Sequence, residues 1–143
     1  MLFRVQFPTV KATKEIINSS YVYGSIGELN QVLLNMCVNA VQAGATAITL
    51  KAESTKQTSI IKVQDNGNGI PKAMIPKLFD SFFSTKGKDN SGLGLSISKE
   101  IVSRHNGSIS VQSEIGAGTT FQIELPLYDS TKTKSLLTSN HLS

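Results

Sequence analysis

The chain has little of what marks secreted, membrane-spanning or nucleic-acid-binding proteins. Its one cysteine, Cys37, excludes an internal disulfide and is typical of a reducing compartment. No apolar run approaches the ~20 residues of a membrane span, and the first residues do not form a signal-peptide pattern. The net charge is +4, but the basic residues are scattered and form no stripe typical of DNA binding. We therefore expect a cytoplasmic domain without a nucleic-acid partner.

Several common catalytic motifs are also absent. The Gly-Lys pair at 87–88 has Phe82 where a Walker loop needs its first glycine. The dinucleotide-binding fingerprint fails at Ile97 and Lys72. Asp65 lacks the spacing of a calcium loop, and one cysteine with two histidines is too few for a zinc cluster. Because no Gly-x-Ser-x-Gly is present either, nothing indicates a serine hydrolase.

The pattern of apolar residues predicts one domain over residues 1–127, followed by a Ser- and Thr-rich tail over 128–143. We interpret the tail as a linker or a disordered segment. Two helices with antiparallel strand pairs favour an α+β fold, a two-layer α/β sandwich rather than a doubly wound parallel sheet. The approach to residue 24 is expected to be irregular. The predicted strands are at about 2–7, 46–54, 58–65, 108–114 and 118–126, and the predicted helices at about 26–43 and 92–105.

The first predicted helix has an unusual polar face. Ser25 and Glu28 have the spacing of a capping box, and an apolar stripe predicts that most of the helix is buried. A solvated face usually carries Lys and Glu, whereas this one carries uncharged amides three or four residues apart. It is either an ordinary solvated face or a surface that holds a ligand or a hydrated cation. The amides are Gln31, Asn35, Asn39 and Gln42.

The stretch "VQDNGNGIP", residues 63–71, follows a predicted strand. Asn-Gly pairs favour a tight hairpin because both residues tolerate positive φ. Here Pro71 and a segment without strand alternation come next, so a second strand does not start. A plain hairpin therefore does not explain two Asn-Gly pairs and one acid, Asp65.

A third segment, "STKGKDNSGLGLSISKEIV", combines glycines with lysines before the second predicted helix. Gly87, Gly92 and Gly94 surround its start, and Lys86 and Lys88 lie just upstream. A helix N-terminus without acids is an anion site, because its backbone N–H groups are unpaired. The alternative is a flexible loop with a glycine-tolerant helix start.

In this order and spacing, the motifs resemble the ATP-binding catalytic domain of sensor histidine kinases, within the wider group of gyrase, Hsp90 and MutL ATPases. "LNQVLLNMCVNAVQAG" resembles that family's N box, "DNGNGI" its first glycine box and "LFDSFFSTK" its phenylalanine box. "GLGLSISKEIVSRHNGSI" and "GAGTTFQIELP" resemble its later glycine boxes. The set covers residues 25–127, and "STK" and "NAVQAG" are similar to nitrogen-regulator-type kinases. The resemblance implies a Bergerat ATP-binding fold, with a mixed, mostly antiparallel sheet packed against helices.

The resemblance also implies a site for ATP and Mg²⁺. Asp65 would accept a hydrogen bond from the adenine amino group, with Thr119 sharing the contact; guanine presents a carbonyl there and is disfavoured. Asn39 matches the magnesium-binding asparagine, and Lys86 would reach the terminal phosphate. The implied catalytic residues are Asn35 and Lys86, and the implied nucleotide-binding residues are Asn39, Asp65, Gly67, Gly69, Ile70, Lys86, Gly92, Leu93, Gly94, Leu95 and Thr119.

Residues 80–91 are expected to form a lid that is mobile without nucleotide, because few of them are apolar. By resemblance, Phe79 and Phe82 are either hinge or docking residues of this lid or ordinary core aromatics.

One position departs from the ATP-hydrolysing relatives, which have a water-activating glutamate where this chain has Asn35. An asparagine cannot act as that base, so fast hydrolysis is not expected. The resemblance implies phosphate transfer to a histidine on a separate dimerisation domain, with a response regulator downstream. His105 and His141 lack the sequence context of such an acceptor. The chain is then the catalytic part of a larger system.

Two alternatives remain open. The chain could belong to a related branch of Ser/Thr protein kinases, or it could be a non-enzymatic module that senses ATP and recruits a partner. A membrane anchor elsewhere in the parent protein is also left open.

Overall fold

Five strands and two α-helices make up the part of the chain that our computed structural model describes, residues 10–17, 22, 24–80 and 94–127. Neither helix of these ranges is long and apolar enough to cross a membrane. The α+β prediction is confirmed, and the strands predicted at 58–65, 108–114 and 118–126 have those bounds. In chain order the elements are β1 (Lys11–Ile16), α1 (Ile26–Gln42), β2 (Ala47–Ser54), β3 (Thr58–Asp65), a 3₁₀ helix (Lys72–Lys77), α2 (Gly94–Arg104), β4 (Ser108–Glu114) and β5 (Gly118–Pro126).

The strands form one mixed sheet in the order β1-β2-β3-β5-β4. β1 runs parallel to β2, and the other pairs are antiparallel. The prediction of an irregular approach to residue 24 is wrong for β1, while the strand predicted at 2–7 lies outside the described residues. β1 carries no apolar alternation, because it is an edge strand whose residues are exposed apart from the half-buried Ala12. Its pairing with β2 is therefore invisible in its own sequence.

The core lies between one face of the sheet and the two helices. Alternate residues of a strand point to the same face, and the buried positions of β5 follow that period: Phe121, Ile123 and Leu125. Each large apolar side chain buried in this way stabilises the fold by about 1.5–3 kcal/mol. The buried residues that meet them are Ile48 and Val63 from the sheet, Val32, Met36, Cys37 and Ala40 from α1, and Ile101 and Val102 from α2.

The start of α1 uses only half of the predicted capping box. The Glu28 backbone N–H donates to Ser25 Oγ at 3.2 Å, as predicted. The Ser25 backbone N–H, however, donates to His105 Nε2 at 3.0 Å. The Glu28 carboxylate instead pairs with Arg104 at 2.7 Å. Both replacements come from the end of α2, so a contact between helices replaces the local cap.

Both helices end in the same hydrogen-bonded turn, with different residues at the left-handed position. After α1 this is Gly44, with φ +80°. After α2 it is Asn106, with φ 61°, and the Gly107 N–H donates to the Val102 carbonyl at 2.9 Å. Asn106, and not the glycine that follows it, is therefore the residue that turns the chain. Gly107 is needed for space, since a Cβ there would collide with the Glu124 carbonyl oxygen.

Candidate functional site

A buried acid and a buried hydroxyl lie side by side where β3 and β5 meet. Asp65, the last residue of β3, is 7% exposed and pairs with Thr119 of β5, which is 4% exposed. Directly opposed residues of an antiparallel pair project to the same face, which here is the face that packs against the helices. One carboxylate oxygen of Asp65 accepts a hydrogen bond from the Gly67 N–H at 2.8 Å. The carboxylate is therefore held in one orientation beside Thr119.

The turn after Asp65 is pinned on both sides and is not a hairpin. The Asn66 side-chain oxygen accepts hydrogen bonds from the Thr46 and Ala47 N–H groups at 2.9 and 3.0 Å. The Asn68 N–H donates to the Ala43 carbonyl at 2.9 Å, and the Asn68 carbonyl accepts from the Gly116 N–H at 2.9 Å. The Asn66 side chain thus ties the turn to the start of β2, and the Asn68 backbone ties it to the end of α1 and to the β4–β5 loop.

Neighbouring backbone requires both glycines of this turn. A Cβ at Gly67 would lie 2.8 Å from the Ala43 carbonyl oxygen. Gly69 has φ +80°, and a Cβ there would collide with the Glu114 carbonyl oxygen. Both positions were assigned to a nucleotide on the basis of the resemblance. These backbone contacts require glycine at both positions even without a nucleotide, because a side chain would not fit.

A serine that the sequence reading missed connects this turn to Thr119. Ser113 of β4 accepts a hydrogen bond from the Ile70 N–H at 2.7 Å. Its hydroxyl lies 2.7 Å from the Thr119 hydroxyl and 3.1 Å from the Gly118 carbonyl oxygen. Ile70, a predicted site residue, therefore enters the cluster through its backbone. The only signal in the sequence is a serine at an inward position of an alternating strand.

The polar face of α1 divides into an exposed and a half-buried part. Gln31 and Gln42 are exposed, whereas Asn35 and Asn39 are half-buried. The Asn35 side-chain N–H₂ group donates to the Gly94 carbonyl at 3.3 Å and to Ser98 Oγ at 3.2 Å. A solvated face accounts for the two glutamines. For Asn35 the structure shows a contact with the first turn of α2.

The start of α2 meets one requirement of the predicted anion site, since its first turn contains no acid. The Ser98 hydroxyl donates to the Gly94 carbonyl at 2.8 Å within the helix. Leu95 packs against the core. The remaining predicted residues of this region lie outside the described residues, as does the expected lid over 80–91 except for its first residue, Asp80. These are Lys86, Gly92, Leu93 and Phe82.

Phe79 is a core aromatic at the end of the described segment. Its ring meets Phe121 edge to face, with centroids 6.5 Å apart and an interplanar angle of 80°. The ammonium group of Lys99, a residue of α2, lies 5.6 Å from the centroid of the same ring. Of the two interpretations of Phe79, the core contact is the one that these neighbours support.

Magnesium would need ligands that come mostly from a nucleotide. Among the described residues, no group of three His, Cys, Asp or Glu side chains is placed to hold a metal ion. Mg²⁺ commonly keeps several waters and binds substrate phosphates with one or two protein oxygens. The amide oxygens of Asn35 and Asn39, one turn apart on α1, are hard donors of that kind, so the donor chemistry fits a nucleotide-borne Mg²⁺.

Comparisons with known proteins agree with this geometry. The model of the family described as "Histidine kinase-, DNA gyrase B-, and HSP90-like ATPase" matches residues 24–129. The chain is 35% identical over 108 residues to sporulation kinase C of Bacillus subtilis, covering 74% of this chain and 25% of that protein. It thus spans a quarter of the length of this curated relative.

Two solved structures share the fold over most of the chain. The catalytic domain of histidine kinase ThkA, in a nucleotide-free form, has a TM-score of 0.76 at 30% identity, covering 87% of this chain and 86% of that one. Full-length ShkA, in a crystal structure with AMPPNP, has a TM-score of 0.78 at 26% identity, covering 89% of this chain and 27% of that one.

Proposed function

Because the chain belongs to the family of histidine kinase-, DNA gyrase B- and HSP90-like ATPases, we propose that it binds Mg·ATP and transfers the γ-phosphate to a histidine on a separate dimerisation domain. The proposal covers this domain's part of two-component signalling, in which a response regulator then takes the phosphate. A cytoplasmic location and a nitrogen-regulator-type parent protein are parts of the same proposal.

The observation that carries the proposal is the arrangement of groups along α1. At its C-terminal end, Ala43 touches the turn that holds Asp65. Two turns earlier, Asn35 contacts the first turn of α2. The eight helical steps from Asn35 to Ala43 span about 12 Å at 1.5 Å per step. An acceptor for a base thus lies at one end and an anion-binding helix terminus at the other, a separation suited to a nucleoside triphosphate.

The base end favours adenine. The Asp65 carboxylate is buried and oriented by the Gly67 N–H, so a ligand must bring a hydrogen-bond donor to it. Adenine presents an amino group at position 6, and guanine presents a carbonyl oxygen. An acceptor facing the buried carboxylate would cost about 1–3 kcal/mol. AMPPNP, the ligand of the structurally similar ShkA, carries adenine and supports this choice.

The phosphate end favours transfer over hydrolysis. Asn35 is an amide whose N–H₂ group faces Gly94 and Ser98, and an amide cannot take a proton from water. Phosphoryl transfer depends mainly on positioning and charge stabilisation. The N-terminal N–H groups of α2, Lys86 and the Mg²⁺ that accompanies ATP would supply that charge, and Asn39 would hold the metal.

The phosphate acceptor must come from outside the described residues. His105 Nδ1–H donates to the Ile101 carbonyl at 2.8 Å, while His105 Nε2 accepts from the Ser25 N–H at 3.0 Å. Both ring nitrogens therefore hold the fold together, and neither is placed to attack a phosphate. A histidine on a helical dimerisation domain fits that requirement.

The test is phosphotransfer in trans. Purified chain, γ-labelled ATP and Mg²⁺ are mixed with a panel of dimerisation domains from histidine kinases, each with a His→Gln control. We expect label on at least one domain, lost in acid and kept in base, because a phosphoramidate breaks in acid. An acid-stable product would place the chain with the Ser/Thr kinases instead. ATP binding without any product across the panel would favour the ATP-sensing module.

A further inference from the structure

Ser113 has three hydrogen-bonding neighbours, and their chemistry fixes where its proton goes. The Ile70 N–H can only donate to Ser113 Oγ, at 2.7 Å. The Gly118 carbonyl oxygen, at 3.1 Å, can only accept. The third neighbour is the Thr119 hydroxyl, at 2.7 Å, which can do either. A serine hydroxyl has one proton and two lone pairs.

Only one arrangement makes all three contacts hydrogen bonds. Ser113 donates its proton to the Gly118 carbonyl and accepts from the Ile70 N–H, so its second lone pair takes the proton of Thr119. If Ser113 donated to Thr119 instead, two acceptor oxygens would face each other 3.1 Å apart at Gly118. Buried polar groups are nearly always paired, and Thr119 is 4% exposed.

We propose that Ser113 is a positioning residue for base selectivity, because it binds the Thr119 proton and leaves Thr119 only lone pairs to offer a ligand. This inference rests on the proposed function, in which Asp65 binds the base, and on the resemblance, which implies that Thr119 shares that contact. With both groups acting as acceptors, the floor of the site accepts hydrogen bonds only. Such a site binds the 6-amino group of adenine, which donates, and disfavours a 6-carbonyl, which can only accept.

Ser113 also has a structural contact, which the test must separate from its effect on Thr119. Loss of its hydroxyl leaves the Ile70 N–H without that acceptor and loosens the turn beside Asp65. Such loosening weakens every nucleotide by a similar factor. Loss of the Ser113 hydroxyl also frees the Thr119 hydroxyl to rotate and to donate its proton to the 6-carbonyl of a base. This second effect favours a base with a 6-carbonyl relative to adenine. The ratio of two affinities therefore distinguishes the two roles, whereas either affinity alone does not.

The probes are ADP and IDP, because the base of IDP has a 6-carbonyl and an N1–H group where adenine has a 6-amino group and an unprotonated N1, and it carries no 2-amino group. Calorimetry with Mg²⁺ gives the ratio of their dissociation constants in the wild-type protein and in Ser113→Ala. We expect the wild type to prefer ADP, and the alanine variant to lose about fivefold of that preference, the worth of one net hydrogen bond of ~1 kcal/mol. Ser113→Thr keeps the hydroxyl and should retain the wild-type ratio.

Two further variants test the route through Thr119. In a Thr119→Val background there is no hydroxyl to release, so adding Ser113→Ala should leave the ratio unchanged. Ser110→Ala is the matched control, because Ser110 is an exposed serine of the same strand. Its ratio should equal that of the wild type. If Ser113→Ala is unfolded at 25 °C, Ser113→Cys keeps a similar shape with a weak acceptor and should lose part of the preference.

Equal weakening of ADP and IDP in every Ser113 variant would overturn the proposal and leave Ser113 a structural residue. A changed ratio that persists without the Thr119 hydroxyl would overturn it as well. Failure of the proposed function has another signature, since the wild-type protein would then bind neither nucleotide.

Discussion

The imidazole of His105, at the end of α2, accepts a hydrogen bond from the backbone N–H of Ser25, the residue that caps α1, at 3.0 Å. The other ring nitrogen donates to the Ile101 carbonyl at 2.8 Å. A Cβ at Gly24 would collide with the same ring. One side chain thus joins the two helices at the end of the domain away from the Asp65 turn, which is why a histidine in a kinase-like chain serves the fold.

We predict that His105→Ala lowers the free energy of unfolding by about 1–3 kcal/mol, because it removes the bond between the two helices and leaves the Ser25 N–H without its partner. Urea denaturation measures the change. The control is Arg104→Ala, which removes an ion pair whose side chains are 57% and 36% exposed; such pairs contribute about 0–1 kcal/mol. Equal losses in the two variants would mean that the His105 contacts add nothing beyond the surface pair.

Replacing Asp65 tests the base end of the site. An asparagine keeps an oxygen that can accept from the Gly67 N–H, so the turn should survive, but the carboxylate that we propose as the acceptor for adenine is lost. We predict that Asp65→Asn weakens ATP binding at least tenfold, or roughly 1.4 kcal/mol, with unchanged circular dichroism. Glu114→Gln, which removes an exposed charge at the end of β4, should bind ATP like the wild type. Near wild-type affinity in Asp65→Asn would remove this residue from the site.

The elements of the fold that could be predicted are those whose residues follow a local pattern of apolar and polar positions. Apolar and polar residues alternate along β3, β4 and β5, which made these strands predictable. The structure confirms their predicted bounds at every residue. β1 carries no such pattern, because it is an edge strand whose residues are almost all exposed. Only half of the capping box forms. Ser25 Oγ accepts from the Glu28 N–H as predicted, but contacts with His105 and Arg104, which only the packed helices bring close, replace the reciprocal bond.

The candidate site likewise contains residues that could be predicted from the sequence and residues that could not. Asp65 stood out because an acid among glycines is unusual, and the sheet register places Thr119 beside it. Ser113 did not stand out, because a serine in a strand is unremarkable until β4 pairs with β5. No partner for Asn66 or Asn68 could be predicted from the sequence of the turn. Its asparagines are fastened to Thr46 and Ala43 across the chain, and such contacts leave no trace in local sequence.

Asn39 provides the test of the metal. We predict that Asn39→Ala abolishes the Mg²⁺-dependent gain in ADP affinity and the Mg²⁺-dependent phosphotransfer, because an amide oxygen beside the phosphates is lost. Binding of metal-free ADP, measured by calorimetry in EDTA, should fall only slightly. Gln31→Ala removes an exposed amide from the same helix face and should change neither value. Equal loss with and without Mg²⁺ would indicate that Asn39 holds the helix layer together.

The buried thiol of Cys37 provides a pH-dependent prediction. Burial raises its pKa from 9.0 to about 11. Between these values the unfolded chain loses the thiol proton while the folded chain keeps it, so the unfolded state is favoured as pH rises. The stability that the protonated, buried thiol allows the folded state is fully present below pH 9 and is lost as pH approaches 11. Stability should therefore fall by up to about 1.4 kcal/mol per pH unit more in the wild type than in Cys37→Ala.

Urea midpoints at several pH values between 8 and 11 measure that difference, and subtraction of the variant removes the titration of tyrosines and lysines. A thiol reagent at pH 8 should label Cys37 slowly in the folded chain and quickly in urea. Parallel pH curves for the two proteins would contradict the prediction.

The last prediction concerns ATP turnover by the chain alone. The expected site positions ATP, but Asn35 has no basic group to activate water, and its N–H₂ group is directed at α2. We predict turnover of well under one per minute, on the order of a barrier above ~20 kcal/mol, and no self-labelling, because His105 is held by Ser25 and Ile101. A coupled assay with the Asp65→Asn variant as background measures the rate.

A carboxylate at position 35 should not by itself restore hydrolysis. In Asn35→Asp, an oxygen would replace the N–H₂ group that faces the Gly94 carbonyl at 3.3 Å, so two acceptors would oppose each other and the start of α2 would shift. We expect the variant to be less stable and to bind ATP more weakly, with no gain in turnover over the wild type. A rise of tenfold or more would mean that the amide alone prevents hydrolysis here, and that the chain is one substitution from the hydrolysing branch of its family.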